Sequence, residues 1–232
     1  MVEYNLQFFG GRGAGGGESL GGGSEKPINI KSQTDVWSYR HQEGNEPFVD
    51  AINSGVRTIV DNFGDVMDVV ESVYSAELGG SDKAQTLGFY SVELDGTTSL
   101  SLNSNFTDIE KMNRVYDKSV SSGYHPSRGE KSGVEAVTLH EMGHALTESV
   151  GRINKLGDLD ATAKVVVENA YKSAKGRGGT KAWAGKISGY AQESNAECIA
   201  EAVADVYCNG VKAHANSKAI VRELRRMSGI ER

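Results

Sequence analysis

The chain has 232 residues, 38% of them hydrophobic and 24% charged, with a formal net charge of −6. That length fits one domain, or one domain with tails. The acidic balance argues against a nucleic-acid partner, because phosphate contacts favour a basic surface. No apolar run approaches the ~18 residues of a membrane span, and no basic segment followed by an apolar stretch opens the chain, so we expect a soluble, cytoplasmic protein with no membrane partner.

Residues 1–24 comprise a short apolar head, Tyr4-Asn5-Leu6-Gln7-Phe8-Phe9, and the glycine-rich run GGRGAGGGESLGGGS at 10–24. The run is too poor in apolar side chains to offset its chain entropy, so it is expected to be a flexible tether. Gly11 to Gly16 formally match GxGxxG, but no βαβ context surrounds them and no nucleotide loop is expected. Residues 25–45 read as irregular linker, and the folded domain is expected to span 46–232.

Helical spacing over 47–61 (Val56, Ile59, Val60) predicts a first helix, and Val66, Val69, Val70 and Val73 predict a second over 64–77. Two strands follow, at 86–94 and 97–103, with Asp95-Gly96 as a two-residue hairpin turn between them. Leu100 and Leu102 are expected to face the core, with Ser99 and Ser101 outward. The second strand is a candidate exposed edge, where a peptide adds as a further strand. An equally weighted alternative gives the hairpin a purely structural role. Helices are then predicted at 107–121, 132–149, 158–175, 194–208 and 213–228. Ser132 with Glu135, and Ser194 with Glu197, fit capping boxes. Cys198 and Cys208 sit ten residues apart on one such helix. Their separation of ~15 Å along it is too great for a disulfide.

The helix at 132–149 carries His140-Glu141-Met142-Gly143-His144, an HExxH motif. Histidines at i and i+4 share a helix face, so both imidazoles can converge on one zinc ion. Glu141 beside them can reach a water on that ion. Thr147 and Val150 exclude the extended HExxHxxGxxH form. Glu148 points away from a shared ion. His125 and His214 read as surface or capping histidines.

A catalytic zinc site wants a third protein ligand and an open position. The best source is the helix at 194–208, where Glu197, Glu201 and Asp205 recur every four residues. Three acids on one face repel unless a cation or imidazole N–H groups relieve them. The alternative is a solvated acidic stripe.

Here the sequence resembles zincin metallopeptidases of the anthrax lethal factor and Pro-Pro endopeptidase group. His140-Glu141-Met142-Gly143-His144 matches their HExxH helix. Ala196-Glu197-Cys198-Ile199-Ala200-Glu201-Ala202 matches their AExxAEA-like segment, and Tyr190 lies seven residues before Glu197. The resemblance implies His140, His144 and Glu197 as zinc ligands, Glu141 as general base, Tyr190 as oxyanion donor and Glu201 as the residue that orients a ligand histidine. A rival, thermolysin-like assignment makes Glu201 the ligand, with Asp205 behind it. The implied fold is α+β: a mainly helical zincin-like domain with a small antiparallel sheet, the hairpin 86–103, packed on the HExxH helix. The implied function is zinc-dependent hydrolysis of peptide bonds in a peptide or protein substrate.

The opening Tyr4-Asn5-Leu6-Gln7-Phe8-Phe9-Gly10-Gly11-Arg12-Gly13 is similar to the start of proteins from the head-gene regions of tailed phages and prophages. That likeness implies that residues 1–12 dock on a phage head or capsid protein. It places the chain in a bacterial cytoplasm or a phage particle. The alternative function is then a virion-associated structural or binding protein that retains a zinc-stabilised fold.

Overall fold

A computed structural model of the chain describes residues 28–29, 46–64, 72–76, 86–92 and 98–230. The apolar head, the tether, most of the linker and the Asp95-Gly96 turn lie outside the described residues.

The architecture is mainly helical α+β, as expected. In chain order the elements are β1 (Ile28–Asn29), α1 (Glu46–Phe63), β2 (Ser72–Ala76), β3 (Gly88–Val92), β4 (Thr98–Asn103), α2 (Ile109–Ser121), α3 (Gly133–Asn154), α4 (Leu159–Ser173), α5 (Thr180–Ala184), α6 (Asn195–Asn209) and α7 (Ala215–Met227). The strands form one sheet in the order β1-β2-β4-β3. The expected hairpin is present, with β3 antiparallel to β4 and Tyr90 opposite Leu100.

Three expectations about this region are corrected. The segment predicted as a second helix contributes β2 instead, which pairs in parallel with β4 and antiparallel with β1. Gly64, with φ of 52°, follows the last turn of α1, where a left-handed residue stops a helix. The valines beyond it are β-branched and suit a strand at least as well as a helix. The antiparallel hairpin β3–β4 thereby gains a parallel neighbour in β2. The strand β4 lies between β2 and β3 and is not an edge; the edge beside it is β3. Ser99 and Ser101 are buried along with Leu100 and Leu102. Ser99 satisfies its hydroxyl with Ser91 across the hairpin, Oγ to Oγ 2.7 Å.

Helix α3 is the centre of the molecule and touches α1, α2, α4, α6, α7, β3 and β4. Almost every side chain from Val134 to Gly151 is buried, the polar His140, Glu141 and His144 among them. Its start is fixed by the predicted capping box: Ser132 Oγ accepts from Glu135 N (3.1 Å) and Glu135 accepts from Ser132 N (3.0 Å). Glu135 also accepts from Ser54 of α1 at 2.7 Å, tying the two helices together at that end. The second predicted box is only half formed. Ser194 Oγ accepts from Glu197 N at 3.0 Å, but the Glu197 carboxylate is turned elsewhere.

Helices α3 and α6 cross closely. A Cβ built on Gly143 would sit 2.7 Å from Ala200 Cα, so the bare glycine lets the two backbones meet. That approach brings the HExxH face against the Glu197–Glu201 face. Among the described residues no helix is long and apolar enough to cross a membrane.

Candidate metal centre

The site is built from α3 and α6, closed on one side by β3 and on the other by the loops at 123–125 and 188–192. His140 and His144 stand one turn apart on α3, with 2% and 3% of their surface exposed. Glu197 projects from the first turn of α6. Its Oε2 lies 3.1 Å from His140 Nε2 and 3.5 Å from His144 Nε2.

One ligand atom from each of these three buried residues lies within 4.8 Å of the other two, so the group could hold a metal ion. The spacing fits a tetrahedral ion, whose ligand atoms at ~2.0–2.1 Å stand ~3.3 Å apart. The donor chemistry fits as well. His144 Nε2, His140 Nε2 and Glu197 Oε2 are buried facing one another, a cluster of polar atoms that a shared cation would satisfy.

Glu201, one turn further along α6, lies behind the ligand face. Its Oε1 is 2.8 Å from His140 Nδ1. An ionised carboxylate only accepts, so His140 carries a proton on Nδ1, and its Nε2 faces Glu197 and His144. The structure thus puts Glu197 on the Nε2 side and Glu201 on the Nδ1 side. Asp205 is remote from both. It accepts from the His214 backbone N–H (2.8 Å), Ser217 Oγ (2.6 Å) and Asn209 Nδ2 (2.9 Å), joining α6 to the start of α7. His214 caps α7, accepting from Asn216 N through Nδ1 at 3.1 Å.

The charges reinforce one another. Burial alone would raise the Glu197 carboxyl, but the His144 and His140 imidazoles hold it well below the usual carboxylate range. Burial acts the same way on Glu201, and His125 and His140 bring it down to about 2. His140 is desolvated, yet hydrogen bonds and attraction from Glu197 and Glu201 raise it well above the ordinary imidazole value.

Glu141 is 1% exposed and faces β3. Desolvation raises its carboxyl pKa, against the pull of His140 and His144 and a hydrogen bond from the Tyr90 backbone. Space for it depends on Gly88, where a Cβ would fall 2.9 Å from Glu141 Oε1 and 2.7 Å from Val137 Cγ1.

Tyr190 opens a single 3-10 turn, Tyr190–Gln192, just before α6. Its ring stacks on that of His140, centroids 5.8 Å apart and planes 21° from parallel. Burial, then the negative charge of Glu197, Glu141 and Glu201, raises its phenol pKa far above the ordinary value, so the hydroxyl keeps its proton as a donor. All six residues singled out from the sequence, His140, Glu141, His144, Tyr190, Glu197 and Glu201, are therefore gathered in one place.

Two residues that the sequence did not point to join them. His125, read as a surface or capping histidine, is 3% exposed, with Nδ1 3.0 Å from Glu201 Oε1. Ser188 donates to Glu201 Oε2 at 2.7 Å and accepts from Ala191 N at 3.0 Å. Neither belongs to a spaced motif. The only local signal at His125 is a histidine lodged between Gly123-Tyr124 and Pro126.

Fold and site together define a mainly helical α+β protein with a buried two-histidine, one-carboxylate group able to hold a metal ion. Comparison with family models, with curated proteins and with solved structures returns no match.

Proposed function

We propose that this chain is a zinc-dependent endopeptidase. The observation that carries the reading is the convergence of His140 Nε2, His144 Nε2 and Glu197 Oε2, with the Glu141 carboxyl buried beside them. Two imidazoles and one carboxylate form a donor set suited to catalytic zinc. His140, His144 and Glu197 would hold the ion, which when bound would lower the pKa of its water toward ~7 and polarise a peptide carbonyl.

The chain's own residues do the rest. Glu141 takes a proton from the attacking water and delivers it to the departing amine. Its raised pKa brings it nearer the working pH, where a group can both accept and release a proton. Tyr190 donates to the oxygen that becomes negative at the tetrahedral stage. Its retained proton and its fixed stacking on His140 suit a preorganised donor. Glu201 holds the His140 ring in the tautomer that offers Nε2.

Substrate binding follows from the corrected sheet order. Among the described residues β3 is the outer strand of the sheet and runs beside Glu141, so an extended peptide pairing with Gly88–Val92 would pass along the site.

The test is metal analysis of the purified chain with a peptide-library digest of wild type and Glu141→Gln. The expected result is about one zinc per chain in both, with peptide cleavage in the wild type alone. Zinc retained by the wild type without cleavage of any peptide would sink the peptidase reading.

A further inference from the structure

We infer that His125 is a positioning residue of the metal centre, holding Glu201, and through it His140, in register. The inference rests on the metallopeptidase reading above and adds a residue to it.

Glu201 Oε1 receives two imidazoles, His140 Nδ1 at 2.8 Å and His125 Nδ1 at 3.0 Å. A carboxylate oxygen has two lone pairs, so both N–H groups can donate to this one atom. Ser188 Oγ takes the other oxygen at 2.7 Å. The carboxylate is thereby gripped from three sides, by residues of three separate segments. With His125 lacking its N–H, Oε1 would keep His140 alone, and a buried anion would lose a charge-assisted bond. Its plane would then be freer to turn, and the His140 ring with it.

The ring of His125 is itself caged. It stacks on Tyr116 at 5.7 Å and 22°, and meets Tyr124 and Tyr190 edge-on at 4.9 and 5.3 Å. One side chain therefore touches both the carboxylate that aims a ligand histidine and the tyrosine beside that histidine.

A merely structural role does not account for this chemistry. The loop backbone is already fastened without the side chain, by Gly189 N to Gly123 O (2.8 Å) and Tyr190 N to Tyr124 O (3.0 Å). An apolar ring would fill the same cage at no desolvation cost, whereas an imidazole at 3% exposure offsets part of its desolvation through the bond its Nδ1–H makes. Here Nδ1–H is spent on the residue behind the metal ligand.

The test separates the ring from the donor. His125→Phe keeps the ring and removes the N–H. His125→Asn keeps a donor near the Nδ1 position and removes the ring. His125→Leu has nearly the shape of Asn without the donor. Val167→Ala, in the core on α4, serves as a control for general destabilisation. Zinc affinity is measured by chelator competition, with kcat and KM for peptide hydrolysis alongside.

Loss of a residue that orients a metal ligand weakens binding ~10–100-fold. His125→Phe and His125→Leu are expected to fall in that range and to lower kcat with little change in KM. His125→Asn and Val167→Ala should stay within about threefold of wild type on the same scale. Wild-type zinc affinity in a folded His125→Phe protein overturns the inference while leaving the metallopeptidase reading intact. Should the Phe variant not fold, Asn against Leu decides, and equal affinities overturn it. A wild type that binds no zinc removes both.

Discussion

Gly143 and Ala200 are in backbone contact: a methyl group on the glycine would lie 2.7 Å from the Ala200 Cα. This pair sets the distance between the helix that supplies His140 and His144 and the helix that supplies Glu197 and Glu201. Gly143→Ala would gain up to ~1 kcal/mol of intrinsic helix propensity. The clash is with a packed backbone rather than a flexible side-chain end, so overpacking should win, at ~1–3 kcal/mol net destabilisation. Urea unfolding would measure the loss, and chelator competition the accompanying fall in zinc affinity. Unchanged stability and affinity would show that the helices can separate without consequence.

Tyr190→Phe tests the hydroxyl apart from the ring. The stacking on His140 survives, so zinc affinity should be unchanged. Removing one donor to a developing oxyanion lowers kcat by ~10²–10³, and KM should change little. A Phe variant with wild-type kcat would exclude the phenol from the reaction.

Asp205→Asn distinguishes the two assignments of the acidic helix. Asp205 accepts three hydrogen bonds at the α6–α7 junction and none from the ligand histidines. The variant should cost ~1–3 kcal/mol through imperfectly satisfied buried donors, with zinc affinity equal to wild type. Glu197→Gln should do the reverse and lose zinc. If Asp205→Asn lost zinc while remaining folded, the thermolysin-like arrangement would be back in play.

The capping box at the start of α3 predicts a pH dependence. Burial pushes the Glu135 carboxyl up, but the Ser132 N–H, the Ser54 hydroxyl and Lys131 outweigh it and hold it below its ordinary value. A carboxyl with a depressed folded-state pKa contributes stability that is complete above its unfolded value of ~4.3 and is lost as pH falls through the folded value. Glu135→Gln keeps an acceptor for the Ser132 N–H and removes the titration. Its unfolding free energy should therefore fall less steeply than that of wild type below pH ~4.3. Parallel curves for the two proteins would argue that Glu135 keeps the same pKa when the chain unfolds.

Much of the fold was legible because local rules and tertiary packing agree. The Ser132–Glu135 box, the apolar flanks of His140 and the four-residue spacing of Glu197 and Glu201 each announce a helix and its buried face. The 64–77 segment failed because its valines satisfy helix and strand templates alike, and pairing with β4 decided between them. The Ser194–Glu197 box failed for another reason. Glu197 has two possible uses for its carboxylate, and the imidazoles across the helix interface took it from the cap.

By itself the sequence determined the chemistry available to this protein: two imidazoles one helical turn apart, a carboxyl beside them, and an acidic face on a second helix. Periodicity fixes those placements, because a helix puts residues four apart on the same side. Only the tertiary structure decided which acid faces Nε2 and which Nδ1, that β3 rather than β4 is the edge, and that His125 is buried behind Glu201. Those outcomes depend on how closely two helices and a loop approach in space, and no spacing along the chain encodes that distance.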